Sequence, residues 1–155
     1  MYGENLRNSL RFEDFVYSEL LKDGIAVVRY GSKEYQSLVG ENAAGFEVKL
    51  DRKMADTGNV FIETAERHND SVEWKPSGIC KSDNTWLYII GNFDRFYVFG
   101  RRMLRRMYHW KTGDVFRYER KETATARGFL VQCVDADCYA ERIIERRTEV
   151  PVFTD

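Results

Sequence analysis

The chain has 155 residues, 43% of them hydrophobic and 14% aromatic, which is enough to bury a sizeable core within a single domain. Its 24 basic residues against 25 acidic ones give a net charge of −1, and this balance excludes a molecule-wide positive field for nucleic acid while leaving room for a local basic patch. The sequence also lacks the apolar core of a signal peptide, a run of about 18 apolar residues that would span a bilayer, and a paired set of cysteines. These features predict a cytoplasmic protein without membrane contact.

The first predicted element is a helix over residues 9–23, because Phe12, Val16 and Leu20 recur at four-residue spacing and make one apolar stripe. Glu13 borders this stripe instead of facing water directly. Taken alone, Glu13 is best explained as a surface carboxylate whose head group is solvated.

A further acid, Glu41, precedes the first charged strand. Residues 25–30 form a compact apolar run with two valines, which predicts a central strand, and residues 31–36 are expected to turn. Only four residues separate Glu41 from the start of the next strand. Glu41 is therefore able to lie close to Glu47 and Lys49 of that strand.

Two strands with charged positions follow. Residues 46–50 and residues 60–65 alternate with a period of two and are predicted to form a hairpin closed by a polar loop. Glu47 and Lys49 share one face of the first strand. Glu63 has apolar neighbours on its own face of the second strand, and a carboxylate in such surroundings is costly to bury unless it is paired or binds a cation.

The middle of the chain predicts a second hairpin, over residues 85–90 and 93–99, and then a helix over residues 101–110. Arginines line one side of this helix and have few acidic neighbours in sequence, so a phosphate backbone is one candidate partner. A solvated or internally salt-bridged face is the alternative. The basic residues of this segment are Arg101, Arg102, Arg105, Arg106 and Lys111.

The last third is predicted to add strands at residues 115–118 and 128–132 and a helix over residues 136–147. This order of helices and strands is typical of a mixed α/β or α+β domain with a central sheet. Residues 112–155 belong either to this single domain or to a C-terminal extension of its core.

Carboxylates and a lysine at adjoining strand ends are groups that suit a hard divalent cation. Oxygen ligands are preferred by Mg²⁺ and Mn²⁺, and bound Mg²⁺ retains several waters. One such water, ionised by the metal with help from a nearby lysine, is a nucleophile for phosphodiester hydrolysis. Glu47 and Lys49 are two residues apart on one strand, so they are expected to point into the same pocket.

The combination of Glu13 on the first helix, an acid near the sheet and the tripeptide Glu47-Val48-Lys49 resembles the PD-(D/E)XK nuclease superfamily, especially its Holliday-junction-resolvase branch and its phage or restriction endonuclease branches. The segments EVKLDRKMADTGNVFIETAER and PSGICKSDNTWLYIIG are similar to phage-type proteins usually placed in this superfamily. The resemblance covers about residues 10–108.

The resemblance implies a restriction-endonuclease-like fold, in which helices flank a central mixed sheet. It implies that Glu47 is a metal ligand, that Lys49 is the motif lysine and that Glu13 completes or supports the metal site. The second acidic ligand is either Glu41, in place of the motif's leading aspartate, or Glu63 on the next strand. The chain has no Pro-Asp pair, so both assignments stay open.

The implied function is a Mg²⁺- or Mn²⁺-dependent DNA endonuclease of a phage or its prokaryotic host, with the basic helix on the phosphate backbone. A homodimer is a further expectation, because cutting two strands calls for two sites. The alternative is a non-catalytic nucleic-acid- or protein-binding module of the same fold, such as a phage or mobile-element accessory factor or inhibitor. Divalent-metal binding separates the two functions.

Overall fold

The computed structural model describes residues 2–69 and 71–146 and contains helices and strands in mixed order. The helices are α1 (Tyr2–Lys22), α2 (Lys33–Leu38), α3 (Met54–Thr57), α4 (Arg101–His109) and α5 (Cys133–Tyr139). The strands are β1 (Phe46–Leu50), β2 (Asn59–Glu66), β3 (Lys75–Pro76), β4 (Leu87–Gly91), β5 (Arg95–Gly100), β6 (Lys111–Thr112), β7 (Val115–Phe116), β8 (Arg120–Glu122), β9 (Ala126–Gln132) and β10 (Arg142–Glu145). A 3-10 turn spans Gly78–Cys80. The predicted α+β class is confirmed, and no described helix is both long and apolar enough to cross a membrane.

The first sheet is mixed and has the strand order β1-β4-β5-β10. β1 runs parallel to β4, whereas β4 pairs antiparallel with β5 and β5 with β10. The β4–β5 pair is the predicted hairpin, and Asn92 closes it by accepting the N–H groups of Asp94 and Arg95 on its side-chain oxygen. β1 is left as an edge strand beside β4.

The second sheet has the strand order β3-β2-β9-β8 and is antiparallel throughout. β2 pairs with β9 and not with β1, so the predicted hairpin of residues 46–50 and 60–65 is wrong. The polar connection between these two strands contains helix α3, which ends at Gly58 in a left-handed conformation with φ of 66°. This extra helical turn carries the chain out of the first sheet and into the second.

The first sheet is covered on both faces. On one face Phe12, Val16 and Leu20 of α1 pack on Ile89 and Phe96, which confirms the predicted stripe of the first helix. On the other face a larger core is shared with the second sheet and with α4. Its fully buried members include Tyr97, Phe99, Ile62, Phe129, Leu104 and Met107.

Residues 25–30 do not form the predicted strand. Among the described residues their one sheet-like contact is an isolated bridge at Arg29, and Val28 exposes 78% of its surface. The guanidinium of Arg29 pairs with Glu13, so this segment runs along α1 instead of joining a sheet. The turn predicted at residues 31–36 is largely helix α2.

The predicted helix over residues 136–147 is correct only at its start. α5 is short, and residues 142–145 form β10 on the edge of the first sheet. Ile143 packs in the core between the sheets and Ile144 packs beneath α1, so neighbouring residues face opposite sides as a strand requires. The predicted end of the helix, Arg147, lies outside the described residues.

The C-terminal region is built into both sheets. β9 pairs with β2 along nearly its whole length, and β10 extends the first sheet. Tyr118, Phe129 and Val131 lie in the same core as the first-sheet residues. The described part of the predicted extension, residues 112–146, therefore pairs directly with β2, the strand that carries Glu63.

Candidate active site

Glu47 and Lys49 lie side by side on the edge strand β1. In register they stand opposite Tyr88 and Ile90 of β4, on the face that looks toward the second sheet. Lys49 Nζ is 3.0 Å from Glu47 Oε1, and the Glu47 side chain exposes 10% of its surface against 51% for Lys49. The acid is thus buried, whereas about half of the lysine side chain is exposed.

Glu41 is held close to β1 by its neighbour Asn42, which is fully buried. The Asn42 side chain accepts the Phe46 N–H at 3.0 Å and donates to the Phe46 carbonyl at 2.8 Å, so the loop before β1 folds back on the strand. Burial raises the pKa of the Glu41 carboxyl, and the negative charges of Glu47 and Glu13 raise it further against the opposing effect of Lys49. Glu41 is therefore close enough to Glu47, Glu13 and Lys49 to feel their charges.

Glu13 faces the same region from α1. Its Oε1 accepts a hydrogen bond from the Tyr17 hydroxyl at 2.8 Å and lies 3.0 Å from Arg29 Nε. Asn42 in turn donates to the Tyr17 hydroxyl at 3.1 Å. A continuous chain of hydrogen bonds thus joins the helix-borne acid to the loop that carries Glu41, and burial followed by the contact with Glu13 raises the pKa of Tyr17.

Glu63 reaches the site from the second sheet. Its Oε1 accepts a hydrogen bond from Ser77 Oγ, and the pairing of β2 with β9 shifts register between Glu63 and Ala65. Such irregularities re-aim side chains along a strand. Gly78 approaches so closely that a β-carbon there would lie 2.2 Å from the Glu63 carbonyl oxygen, so a side chain at this position would displace β2.

Lys49 is the common element of this cluster. Burial acts to lower its pKa, but the charges of Glu47 and Glu63, the hydrogen bond to Glu47 and the charge of Glu41 together raise it. Lys49 is consequently an ammonium ion at neutral pH. Acids from two sheets and one loop therefore act on a single lysine, although they lie on separate segments of the chain.

The candidate metal ligands are of the chemical type that binds hard cations. All candidate ligands are carboxylate oxygens, which Mg²⁺ and Mn²⁺ prefer. Among the described residues, no three His, Cys, Asp or Glu side chains lie close enough together to hold a metal ion between them. Mg²⁺ is usually held by only one or two carboxylates together with waters, and the residues that could hold it here are Glu47 with either Glu41 or Glu63.

A cleft of about 580 Å³ opens beside Lys49 and Glu63, between the two sheets. Its floor is apolar and includes Phe61, Leu130 and Ile79. Three further basic side chains line it, and sequence reasoning did not single them out: Arg52, Lys53 and Lys121. The first two directly follow the charged strand and were detectable on that ground, whereas Lys121 enters only through the pairing of β8 with β9.

The basic helix α4 is divided between two roles. The Arg101 side chain exposes only 12% of its surface and donates to the carbonyls of Ile79, Lys81, Asp83 and Thr85, so the prediction that it contacts phosphate is corrected. Arg105 also donates to the Ile79 carbonyl, at 2.8 Å. Arg102 and Arg106 are exposed, with no ion pair in the described part of the chain, and Lys111 lies over the Phe116 ring at 4.5 Å.

Arg101 and Arg105 support the site indirectly. Both bind the 3-10 turn that follows Ser77, and Ser77 and Gly78 are the residues that contact Glu63.

Comparison of the chain with protein-family models, with curated proteins and with solved structures gave no match.

Proposed function

We propose that this chain is a divalent-metal-dependent DNA endonuclease with a restriction-endonuclease-like fold. The observation that carries the proposal is the gathering of acids around Lys49, which is bonded to Glu47 at 3.0 Å and attracted by Glu41 and Glu63. A lysine used only for solubility has no need of acids from three separate segments. The first sheet is mixed, α1 packs on one of its faces, and α4 lies on the side of its other face. This arrangement is compatible with the fold that the sequence resemblance implies.

Glu47 is the first metal ligand in this proposal, because it is buried and on the strand that also carries Lys49. Glu41 or Glu63 is the second ligand. When bound, the metal supplies Lewis-acid polarisation of the phosphate and lowers the pKa of a coordinated water. Glu13 acts as a positioning residue through Tyr17 and the Asn42 loop.

Lys49 acts as a cation in this reaction. Its raised pKa keeps the proton on Nζ, so the ammonium group orients the attacking water and donates a hydrogen bond to the oxygen on which negative charge develops. Because the side chain is half exposed, that hydrogen bond is available to a phosphate in the cleft. Arg102, Arg106 and Lys111 are proposed to contact the phosphate backbone outside the site.

The test is cleavage of linear duplex, supercoiled plasmid, single strand and four-way junction in Mg²⁺, in Mn²⁺ and in EDTA. We expect metal-dependent cutting by the wild type and none by Glu47→Ala. Glu34→Ala, at an exposed position on α2, is the matched control and should cut normally. Metal-independent DNA binding without cutting of any substrate would reject the nuclease and support the non-catalytic binding module.

Homodimer formation is part of the proposal, since two sites are needed to cut two strands. Light scattering of the purified chain, alone and with uncut DNA, measures it. A monomer in both conditions would restrict the proposed activity to one strand at a time.

A further inference from the structure

Phe61, on the second sheet, contributes an aromatic ring to the wall of the cleft. Phe61 of β2 stands opposite Leu130 of β9 in register, and both side chains are only partly buried and line the cleft. The ring leans toward Gly128: a β-carbon on Gly128 would lie 2.8 Å from the Cε2 and Cζ atoms of Phe61. The absence of a side chain at Gly128 therefore provides the space that the Phe61 ring occupies.

Charged residues flank this ring at the same level of the sheet. Gly128 is the register partner of Glu63 on one side and of Lys121 on the other, and both of these side chains line the cleft. Because Gly128 has no side chain, the Phe61 ring lies between the acid and the amine. A partly buried aromatic ring that lines the cleft is thus placed beside the proposed catalytic group Glu63.

The cleft also carries an excess of positive charge. Lys49, Arg52, Lys53 and Lys121 line it, against the two carboxylates of Asp51 and Glu63. The Asp51 carboxylate is already occupied, since it accepts the backbone N–H groups of Lys53, Met54 and Phe61. Arg52, Lys53 and Lys121 are exposed and have no ion pair among the described residues, so they are free to bind an anion.

We propose that this cleft binds an unpaired nucleotide of a DNA strand, with its base stacked on Phe61 and its phosphates on Lys121, Arg52 and Lys53. Base–aromatic stacking is tolerant of sequence, and lysine or arginine side chains follow the phosphates. A paired base inside a duplex keeps its faces against its neighbours, so the preferred substrates contain unpaired nucleotides: single strands, flaps, bulges or junctions. The cleft volume of about 580 Å³ is in the range of small-ligand sites.

Trp74, in a polar loop, is another aromatic residue to consider for stacking, and its surroundings differ. The guanidinium carbons of Arg67 and Arg127 lie 4.4 Å and 4.1 Å from the centre of its ring. The Trp74 ring is already covered by cations of the same chain, whereas the Phe61 ring faces the cleft. Phe61 is therefore the base platform.

The inference rests on the proposed function for its ligand, but its test measures binding and not cleavage. The full-length chain in EDTA is titrated into oligonucleotides that carry 2-aminopurine in a single strand, as a single-base bulge in a duplex, or fully paired. We expect quenching of 2-aminopurine emission in the first two and not in the paired duplex. Phe61→Leu should weaken binding of the single strand about tenfold and reduce the quenching, whereas Phe61→Tyr, which keeps the ring, should behave as the wild type.

Two controls make the result specific to the cleft. Tyr35→Leu removes an exposed aromatic residue that does not line the cleft and should leave affinity unchanged. Lys121→Ala should reduce the slope of log affinity against log salt by about one phosphate contact. Equal binding of paired and unpaired probes, or unchanged quenching in Phe61→Leu, would overturn the inference.

The two proposals fail in different ways. Metal-dependent cutting without any preference for unpaired bases would reject the nucleotide cleft and keep the nuclease. Stacking of an unpaired base on Phe61 in a protein that cuts nothing would keep the cleft and reject the nuclease.

Discussion

The carboxylate of Asp51 accepts a hydrogen bond from the backbone N–H of Phe61 at 3.0 Å. Asp51 lies just after β1, and Phe61 is in the middle of β2. The other Asp51 oxygen accepts the N–H groups of Lys53 and Met54 at the start of α3. One side chain therefore joins the first sheet, the connecting helix and the second sheet, and it fixes the strand on which Phe61 and Glu63 lie.

Replacing Asp51 with alanine should lower the free energy of unfolding by about 2 kcal/mol, because three backbone donors lose their acceptor. Chemical denaturation followed by circular dichroism measures the change. Asp56→Ala, at an exposed position on α3, is the matched control and should cost less than about 0.5 kcal/mol. Equal losses in the two variants would show that Asp51 does not join the sheets energetically.

Replacing Lys49 with alanine should reduce the cleavage rate at least about a hundredfold while the protein remains folded. The pair joins a half-exposed lysine to the buried Glu47, so its loss should lower the free energy of unfolding by about 1–3 kcal/mol. Single-turnover cleavage and thermal unfolding are measured on the same preparations, with Lys75→Ala as the control at an exposed position of β3. Retained cleavage in Lys49→Ala would remove this residue from the mechanism.

The raised pKa of Glu41 predicts a pH-dependent penalty on folding. Burial and the charges of Glu47 and Glu13 make the folded state hold the Glu41 proton more tightly than the unfolded chain, whose carboxyl has the ordinary value of 4.5. The penalty is absent when the pH is below this ordinary pKa of 4.5, and it grows as the pH rises through the higher pKa of the folded state.

Glu41→Gln should consequently be more stable than the wild type at pH 7 in EDTA, and the difference should vanish near pH 4. Denaturation curves at a series of pH values provide the measurement, and Glu34→Gln serves as the exposed control. A difference that is the same at both pH values would mean that the charge of Glu41 is not the cause.

The two kinds of arginine on α4 should respond differently to substitution. Arg102→Glu combined with Arg106→Glu should weaken DNA binding and flatten its salt dependence with little effect on stability, because both side chains are exposed. Arg101→Ala should lower the unfolding free energy by about 3 kcal/mol, because several carbonyls of the 79–85 loop lose a charged donor. Binding titrations at several salt concentrations and denaturation curves distinguish the two effects. An unchanged salt slope in the Arg102 and Arg106 variant would place the DNA contact elsewhere.

The sequence was sufficient where the controlling signal is local. The four-residue spacing of Phe12, Val16 and Leu20 predicted the apolar stripe of α1, and the two-residue spacing of Glu47 and Lys49 put them on one face of a strand. The Gly91-Asn92 pair predicted the β4–β5 hairpin. In each case, dihedral preferences and side-chain periodicity within a few residues decide the result.

Only the tertiary structure decided which strands pair and where long side chains point. β1 and β2 have the pattern of a hairpin, yet α3 and the Asp51 contacts send them to different sheets. Residues 142–145 form a strand because their backbone pairs with the free edge of β5. Arg101 turns inward because loop carbonyls beside it accept its hydrogen bonds. Lys121 reaches the cleft through β9, which begins at Ala126 and is fixed by pairing with β2, a strand that ends at Glu66, 60 residues earlier in the chain. These outcomes depend on hydrogen-bond partners distant in sequence, and no local periodicity encodes them.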